Sequence, residues 1–104
     1  MNLTGKCKEA FEEWYIDFFA DEDYLYDFYE NHHPSEKYGV YVDFFDSKGI
    51  RISIRNIGDS YWYVINHPNI LGLKDRHESK FTGRPETRSK AVEKADEIYN
   101  SSNK

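Results

Sequence analysis

The chain has 104 residues, a formal net charge of −5 and an aromatic content of 17%. This length suits a single domain, and no apolar run approaches the roughly 20 residues that cross a membrane. The one cysteine excludes an internal disulfide, and the first residues lack the basic and then apolar plan of a secretory signal. We therefore expect one cytoplasmic domain over residues 1–104 that makes no contact with a membrane.

The first predicted element is an amphipathic helix from about Thr4 to Ala20, with Thr4 as its N-cap. Its apolar residues recur at spacings of three and four and therefore share one side of the helix: Leu3, Cys7, Ala10, Phe11, Trp14, Tyr15, Phe18 and Phe19. Cys7 belongs to this stripe, so we predict a buried thiol that packs as a small hydrophobe.

A shorter second helix is predicted from about Glu22 to Asn31. The acidic run 21–23 interrupts the apolar pattern, which is compatible with one kinked helix and also with two separate helices. The second helix is predicted to end before Pro34, because the residue that precedes a proline avoids helical angles.

Three strands are predicted in the middle of the chain, over about Tyr38–Phe45, Ile50–Ile57 and Ser60–Asn66. The second strand alternates most clearly, with isoleucine at positions 50, 52 and 54 and polar residues between them. Such alternation is typical of an antiparallel sheet that has one buried side and one solvent-facing side.

The segment Asp46–Gly49 predicts a three-residue hairpin loop between the first two strands. It is closed by a glycine in the left-handed conformation, which only glycine adopts without strain. This turn sets a register in which Phe44 faces Ile52 on the buried side and Tyr41 faces Arg55 on the solvent-facing side.

The third strand has two compatible registers. A two-residue turn at Gly58 and Asp59 places Trp62 beside Arg55 on the solvent-facing side, and a three-residue loop places Tyr63 there instead. The sequence does not distinguish these two registers.

The remainder of the chain leads to a last helix. Residues Ile70–Leu73 predict a flap over the sheet edge, and Lys74–Lys80 predict a polar, mobile loop. The last helix begins near Arg84, where Pro85 suits the first helical turn, and it is predicted to continue to about residue 100. Residues 101–104 are predicted to form a frayed tail.

Together these elements predict an α+β fold. It is a two-layer sandwich in which a three-stranded antiparallel meander carries the N-terminal helix, the short second helix and the C-terminal helix on one face. This arrangement leaves the other face of the sheet open to solvent.

The open side of the predicted sheet is the candidate binding surface, composed of Tyr41, Phe45, Arg51, Arg55 and Trp62, or Tyr63 in the other register of strand three. Aromatic and arginine side chains dominate protein-binding hot spots because they bury much area with few lost rotamers. We therefore predict a protein-interaction module whose partner is unidentified. The alternatives are cross-strand pairs that need no partner, and a homodimer across this face.

Two further functions are compatible with the same sequence. Rings and arginines on one face would serve as a platform for single-stranded nucleic acid. Residues 1–33 disfavour nucleic acid, because two lysines stand against nine acids there and give a local charge of −7. Those acids would suit a decoy that imitates a phosphate backbone and occupies a nucleic-acid-binding protein.

The sequence carries no recognisable motif for catalysis, a metal or a cofactor. No Ser-His-Asp or Cys-His arrangement can be placed, and no glycine-rich loop leads from a strand into a helix. The adjacent side chains of His32 and His33 point apart, and a metal site needs further ligands in space. We expect a protein that is not an enzyme, with no catalytic residues, cofactor or metal.

Three stretches of the chain resemble small proteins of Bacteroides-type phages and prophages, a group to which no activity is assigned. They are MNLTGKCKEAFEEWY, YGVYVDFFDSKGIRISI and FTGRPETRSKAVEKADEIYN, which together cover about half of the chain. The resemblance implies a mobile-element protein of a bacterial cytoplasm and supplies no functional residues.

The predicted order of helix, three strands and helix is also similar to the double-stranded-RNA-binding fold. The segment RSKAVEKADEIY resembles the lysine-rich start of that fold's last helix. The negative net charge argues against RNA binding, and the order of elements does not define a function.

Overall fold

A computed structural model describes residues 1–19, 21–68 and 76–103. Within these residues the helices are α1 (Gly5–Phe19), α2 (Glu22–Asn31), α3 (Pro34–Ser47) and α4 (Arg84–Ser102). The strands are β1 (Arg51–Ile57), β2 (Ser60–Asn66) and β3 (Arg76–Phe81). They form an antiparallel sheet in the order β1-β2-β3. The predicted α+β class with a three-stranded antiparallel sheet is confirmed.

The helices and the sheet form two layers. α4 packs along all three strands and α3 packs against β1, while α1 contacts α2 and α4 and extends the helical layer. The Cα atoms span 41 × 33 × 18 Å. The short dimension matches two layers stacked about 10 Å apart.

The predicted first strand, Tyr38–Phe45, is wrong, because these residues form the centre of α3. Their spacing also fits a helix, since Tyr41, Phe44 and Phe45 lie on one helical face and all three are buried. The predicted hairpin and its pairing of Tyr41 with Arg55 therefore do not form. Burial of three rings outweighs the strand propensity of Tyr, Val and Phe.

Both ends of α3 are determined by local capping. At the start, the His33 side chain accepts from the Ser35 backbone, Pro34 occupies the first turn and Glu36 accepts from the His33 backbone N–H. At the end, Gly49 has φ +80°. The backbone N–H groups of Gly49 and Ile50 return to the carbonyls of residues 46 and 45, which is a Schellman motif. The left-handed Gly49 was predicted, but it ends a helix instead of closing a hairpin.

The third strand of the sheet is β3, which lies mostly within the predicted mobile loop Lys74–Lys80. Arg76, Glu78 and Lys80 point to one side and His77, Ser79 and Phe81 to the other. Since only one inward residue is strongly apolar, the alternation lacks a hydrophobic signature. The predicted flap Ile70–Leu73 lies outside the described residues.

The pairing of β1 with β2 shows which of the two registers predicted for residues 60–66 is formed. Arg55 pairs with Trp62 and Ile54 with Tyr63 across a two-residue turn, in which Gly58 has φ +62°. Tyr63 consequently points toward the helices and is buried, as the two-residue turn predicts.

Phe11 of α1 lies at the centre of an aromatic core. It is fully buried, and its ring centroid lies between 5.0 and 6.5 Å from the rings of Trp14, Tyr15, Phe28, Tyr29, Tyr41 and Phe44. Most of these pairs are tilted or edge-on, the arrangements that aromatic rings favour. α4 completes the core with the small aliphatic side chains of Ala91, Val92, Ala95 and Ile98.

The N-terminal turn of α1 is capped from α4. Thr4 precedes the helix as predicted, but its hydroxyl donates to Asp96. The backbone N–H of Cys7, which an N-cap side chain commonly binds, donates to Asn100 instead. α1 and α2 are separate helices, and α2 has its own N-cap, Asp21.

α4 extends two residues beyond its predicted end. It continues through Ser102 and so includes half of the predicted frayed tail 101–104. None of the helices in residues 1–19, 21–68 and 76–103 combines the length and the apolar character that would let it cross a lipid bilayer.

Candidate functional site

The structure divides the predicted binding surface. Tyr41 is 1% exposed and Phe45 is fully buried, and both lie on α3 within the core. Their assignment to a solvent-facing surface is wrong, because residues 38–45 follow a helical and not a strand periodicity. Arg51, Arg55 and Trp62 do share the face of the sheet opposite the helices, as predicted.

We call this face the open face and define it by the side chains of Arg51, Ser53, Arg55, Ile57, Trp62, Val64, Arg76, Glu78 and Lys80. Pairing aligns them in rows across the three strands. One row is Arg55, Trp62 and Lys80, and the next contains Val64 beside Glu78. Strand geometry separates neighbouring rows by about 6.6 Å.

Four cations surround the middle of the open face. Arg51 and Arg55 lie on β1, Arg76 and Lys80 lie on β3, and Glu78 is the single acid within the face. Arg76 lies 3.4 Å from Glu78, an exposed ion pair of small net stability. The face therefore keeps a local excess of positive charge on a chain whose net charge is −5.

Two of these cations have no acidic partner among the residues that the structure describes. Arg55 and Lys80 flank Trp62, and the Lys80 Nζ lies 5.9 Å from the Trp62 ring centroid. By contrast, Arg51 has Asp46 at 3.8 Å, although its side chain stays 82% exposed. The cationic groups beside the tryptophan are thus the ones most available to an external anion.

The middle of the open face is apolar. Val64 is only 3% exposed, because the longer side chains around it cover it. Ile57 is 66% exposed and lies at the end of β1 on the same side. With Trp62, these residues line a shallow depression of about 210 Å³, bounded by Arg55 and Glu78.

Sequence reasoning missed every residue that β3 contributes to the open face. The available signal was the alternation of charged residues at positions 76, 78 and 80. Charged side chains at alternate positions are common on edge strands, where they oppose pairing with a second chain. The segment Lys74–Lys80 predicts a loop because it is polar, and the intervening residues His77 and Ser79 supply no large hydrophobe.

Acidic and basic groups lie in different parts of the fold. Nine acids lie in the segment that forms α1, α2 and their connection: Glu9, Glu12, Glu13, Asp17, Asp21, Glu22, Asp23, Asp27 and Glu30. One of these carboxylates, that of Glu12, accepts a hydrogen bond from the Tyr29 hydroxyl at 2.9 Å. The helical layer is therefore acidic toward its N-terminal part, while the open face of the sheet is basic.

The reactive side chains inside the fold include one thiol and two neighbouring imidazoles. Burial, together with the Asp96 carboxylate, raises the pKa of the Cys7 thiol, which keeps this thiol neutral. His67 and His77 approach each other with their Nε2 atoms 3.1 Å apart. Within the described ranges, no group of three His, Cys, Asp or Glu side chains is placed to hold a metal ion.

The fold and the open face define a small α+β chain with one solvent-facing side of its sheet. We compared the chain with models of known protein families, with curated proteins and with solved structures, and none of the three comparisons found a match.

Proposed function

We propose that this chain is a small binding module and that its open face binds an acidic segment of a partner protein. The observation that carries the proposal is the placement of Trp62 between Arg55 and Lys80, next to the buried Val64. Interfaces between proteins commonly combine an apolar centre with a polar rim, and Trp and Arg are their most frequent hot-spot residues.

The charges of the open face support an acidic partner. Four cations against one carboxylate create a positive potential, which steers an anionic segment and raises its rate of association. An exposed Ile57 beside the tryptophan favours a partner that also carries an apolar side chain. The expected ligand is therefore a peptide segment rich in Asp and Glu with at least one large apolar residue.

A selection from a random peptide display library tests this proposal. We expect the enriched peptides to be acidic and to contain an aromatic or aliphatic residue. The variants Arg55→Glu and Trp62→Ala should each lose this enrichment, because one reverses a charge beside the ring and the other removes the apolar anchor. Circular dichroism establishes that each variant is folded.

Lys8→Glu is the matched control for charge. Lys8 is exposed on α1, away from the sheet, so this variant makes the same charge reversal outside the open face. It should enrich the same peptides as the unmodified chain. Equal loss with Lys8→Glu and Arg55→Glu would attribute binding to net charge alone and would contradict the proposal.

A platform for single-stranded nucleic acid is the second candidate function. The cations on both sides of Trp62 favour it, since such platforms combine ring stacking with a positively charged surface. Against it, the open face carries one ring, and successive bases stack on several. Fluorescence anisotropy with short labelled oligonucleotides distinguishes the two functions: saturable binding that weakens in Trp62→Ala and in high salt would favour nucleic acid.

The proposal includes a role without catalysis, a cytoplasmic location and an origin in a mobile element. The placement of Trp62 between two exposed cations supports a role in binding. The resemblance of three sequence stretches to phage and prophage proteins supports the location and the origin. Deletion of the gene in a bacterial host, followed by assays of phage growth, tests the origin.

A further inference from the structure

A second concave site lies on the helical side of the sheet, and of the residues that define the open face only Ser53 also lines it. It is a groove of about 340 Å³ between α3, α4 and the end of the β1–β2 hairpin. Its floor is apolar and is formed by Val42, Ile52 and Ile54. We call it the arginine groove because Arg84 and Arg88 of α4 line it.

Each arginine of the groove is held over a tyrosine ring. The guanidinium carbon of Arg84 lies 5.5 Å from the ring centroid of Tyr61, and that of Arg88 lies 5.3 Å from the ring centroid of Tyr38. Such stacking fixes the planar guanidinium groups and leaves their N–H groups free to bind an anion.

Among the described residues, no acidic group neutralises the positive charge of the arginine groove. In the part of the chain that the structure describes, neither Arg84 nor Arg88 forms an ion pair, and no acidic side chain lines the groove. The two residues are four apart on α4, a spacing at which like charges destabilise a helix. A bound anion would remove this repulsion.

The start of α4 adds little to this potential. Gly83 is its N-cap and supplies no side-chain acceptor, but Pro85 has no backbone N–H and Glu86 places a carboxylate in the same first turn. The positive charge of the groove therefore comes from the two guanidinium groups, which lie beside its apolar residues.

We propose that the arginine groove binds a small organic anion that carries a phosphate or carboxylate on an aromatic or aliphatic body. The arginine forks match the planar or trigonal oxygens of such a group, and the apolar floor accepts the body. Burial raises the pKa of Tyr38 although Arg88 opposes the shift, so its hydroxyl stays neutral and able to hydrogen-bond the ligand. A volume of about 340 Å³ accommodates a ligand of one or two rings.

Titration of the chain with phenyl phosphate, benzoate, inorganic phosphate and phenol, followed by NMR, tests this inference. We expect saturable binding of phenyl phosphate, with shift changes at Tyr38 and Tyr61, and weaker binding of inorganic phosphate and of phenol. Replacement of both arginines by glutamine should weaken phenyl phosphate binding at least about tenfold, because charged hydrogen bonds are lost. Arg84→Gln alone changes one exposed residue at the helix start, and it should also weaken binding.

The double variant Lys6→Gln with Lys8→Gln is the control for charge. It removes two exposed cations from α1, outside the arginine groove and the open face, and it should leave the affinity for phenyl phosphate unchanged. Equal weakening by both double variants would overturn the inference, since binding would then follow net charge. Inorganic phosphate that binds as tightly as phenyl phosphate would overturn the role of the apolar floor. No saturable binding of any probe at millimolar concentration would overturn the site itself.

Discussion

The Asp96 carboxylate on α4 accepts two hydrogen bonds from Thr4, one from its backbone N–H at 2.8 Å and one from its hydroxyl at 2.6 Å. One turn further along α4, Asn100 accepts from the backbone N–H of Cys7 at 2.9 Å and donates to the Thr4 carbonyl at 3.0 Å. The last helix thereby satisfies the first turn of the first helix, whose donors would otherwise be unpaired.

Replacement of Asp96 by alanine should lower the free energy of unfolding by about 2–3 kcal/mol, because two part-buried donors lose a charged acceptor. Urea denaturation followed by circular dichroism measures this loss. Asp43→Ala removes an exposed carboxylate from α3 and should change stability by less than about 0.5 kcal/mol. Equal effects of the two substitutions would show that Asp96 does not cap α1.

Replacement of Gly39 by alanine should stabilise the protein by about 0.5–1 kcal/mol. Gly39 lies inside α3, and a Cβ atom added there meets no atom within 4 Å, so alanine gains helix propensity without a clash. Thermal denaturation measures the gain.

Replacement of Gly49 by alanine should have the opposite effect and should destabilise the protein by about 1–2 kcal/mol. Gly49 has φ +80°, a conformation that an L side chain disfavours. Opposite signs for the two glycine substitutions are expected from a helix that ends at this point. The same sign for both would contradict the assignment of α3.

Tyr41→Phe should make the protein more resistant to alkaline unfolding. Burial, reinforced by nearby negative groups, raises the pKa of Tyr41 from 10.0 to about 12. Between about pH 10 and about pH 12 the folded chain therefore binds more protons than the unfolded chain, and the unfolding free energy falls as pH rises. The variant lacks this titration, so its alkaline midpoint should move upward in denaturation curves.

At alkaline pH the unfolding free energy of Tyr41→Phe should still fall as the pH rises, but less steeply than that of the unmodified chain. The pKa of Tyr29 is also raised, by burial and by the hydrogen bond to Glu12, so this residue contributes in the same direction. Tyr26→Phe is the control, because its ring is 68% exposed on α2. An unchanged midpoint for Tyr41→Phe would show that its hydroxyl is solvated in the folded state.

The Cys7 thiol should react with a thiol reagent only when the fold opens. The side chain is fully buried, and burial with the Asp96 carboxylate raises its pKa. An opening free energy of about 3 kcal/mol slows the reaction roughly 100-fold relative to the unfolded chain. The rate measured with and without urea tests this, and fast labelling of the folded chain would place Cys7 at the surface.

Substitution of Trp62 and of Phe11 should affect the protein in different ways. Phe11→Ala removes the central ring of the core and should cost about 3–5 kcal/mol. Trp62→Ala removes a half-buried ring with one cation contact and should cost about 1 kcal/mol. Denaturant curves for both variants test whether Trp62 serves mainly for binding, and a loss near that of Phe11→Ala would make it a structural residue.

Much of the fold follows from local sequence pattern. The predicted bounds of the first two helices, of the two strands 51–57 and 60–66 and of the last helix agree with the structure to within two residues. Most of these elements have an apolar periodicity that is typical of one type of structure, whereas residues 61–65 form a continuous apolar run. The predicted number of three strands agrees with the structure, although one strand was predicted in the wrong place. Residues 38–45 belong to α3, and β3 is the third strand instead.

The two errors have different physical causes. Residues 38–45 alternate well enough for a strand, but His33, Pro34 and Gly49 bracket a helix, and these capping signals were the more reliable ones. Residues 76–81 pair through the backbone, which is independent of side-chain polarity, so their hydrophobic pattern was uninformative. The sequence is compatible with two registers of β2 against β1. The structure has the two-residue turn, in which Gly58 has φ +62°, and this turn pairs Trp62 with Arg55.

The candidate site was predictable only where the strand assignments were correct. Arg51, Arg55 and Trp62 share a face as expected, because a period of two is unambiguous within a real strand. Tyr41 and Phe45 were misplaced with α3. Arg84 and Arg88 meet Tyr61 and Tyr38 only through tertiary packing, which the sequence of each element does not reveal.

The hydrogen bonds that join the start of α1 to Asp96 and Asn100 of α4 also set an order of events during synthesis. The acceptors for Thr4 and Cys7 lie 92 and 93 residues later in the chain. While the ribosome is still translating, α1 emerges without them, and its first turn stays frayed until residue 100 has left the exit tunnel. Such distant contacts slow folding, so the nascent chain should remain open to proteases and chaperones until α4 has been synthesised and has left the ribosome.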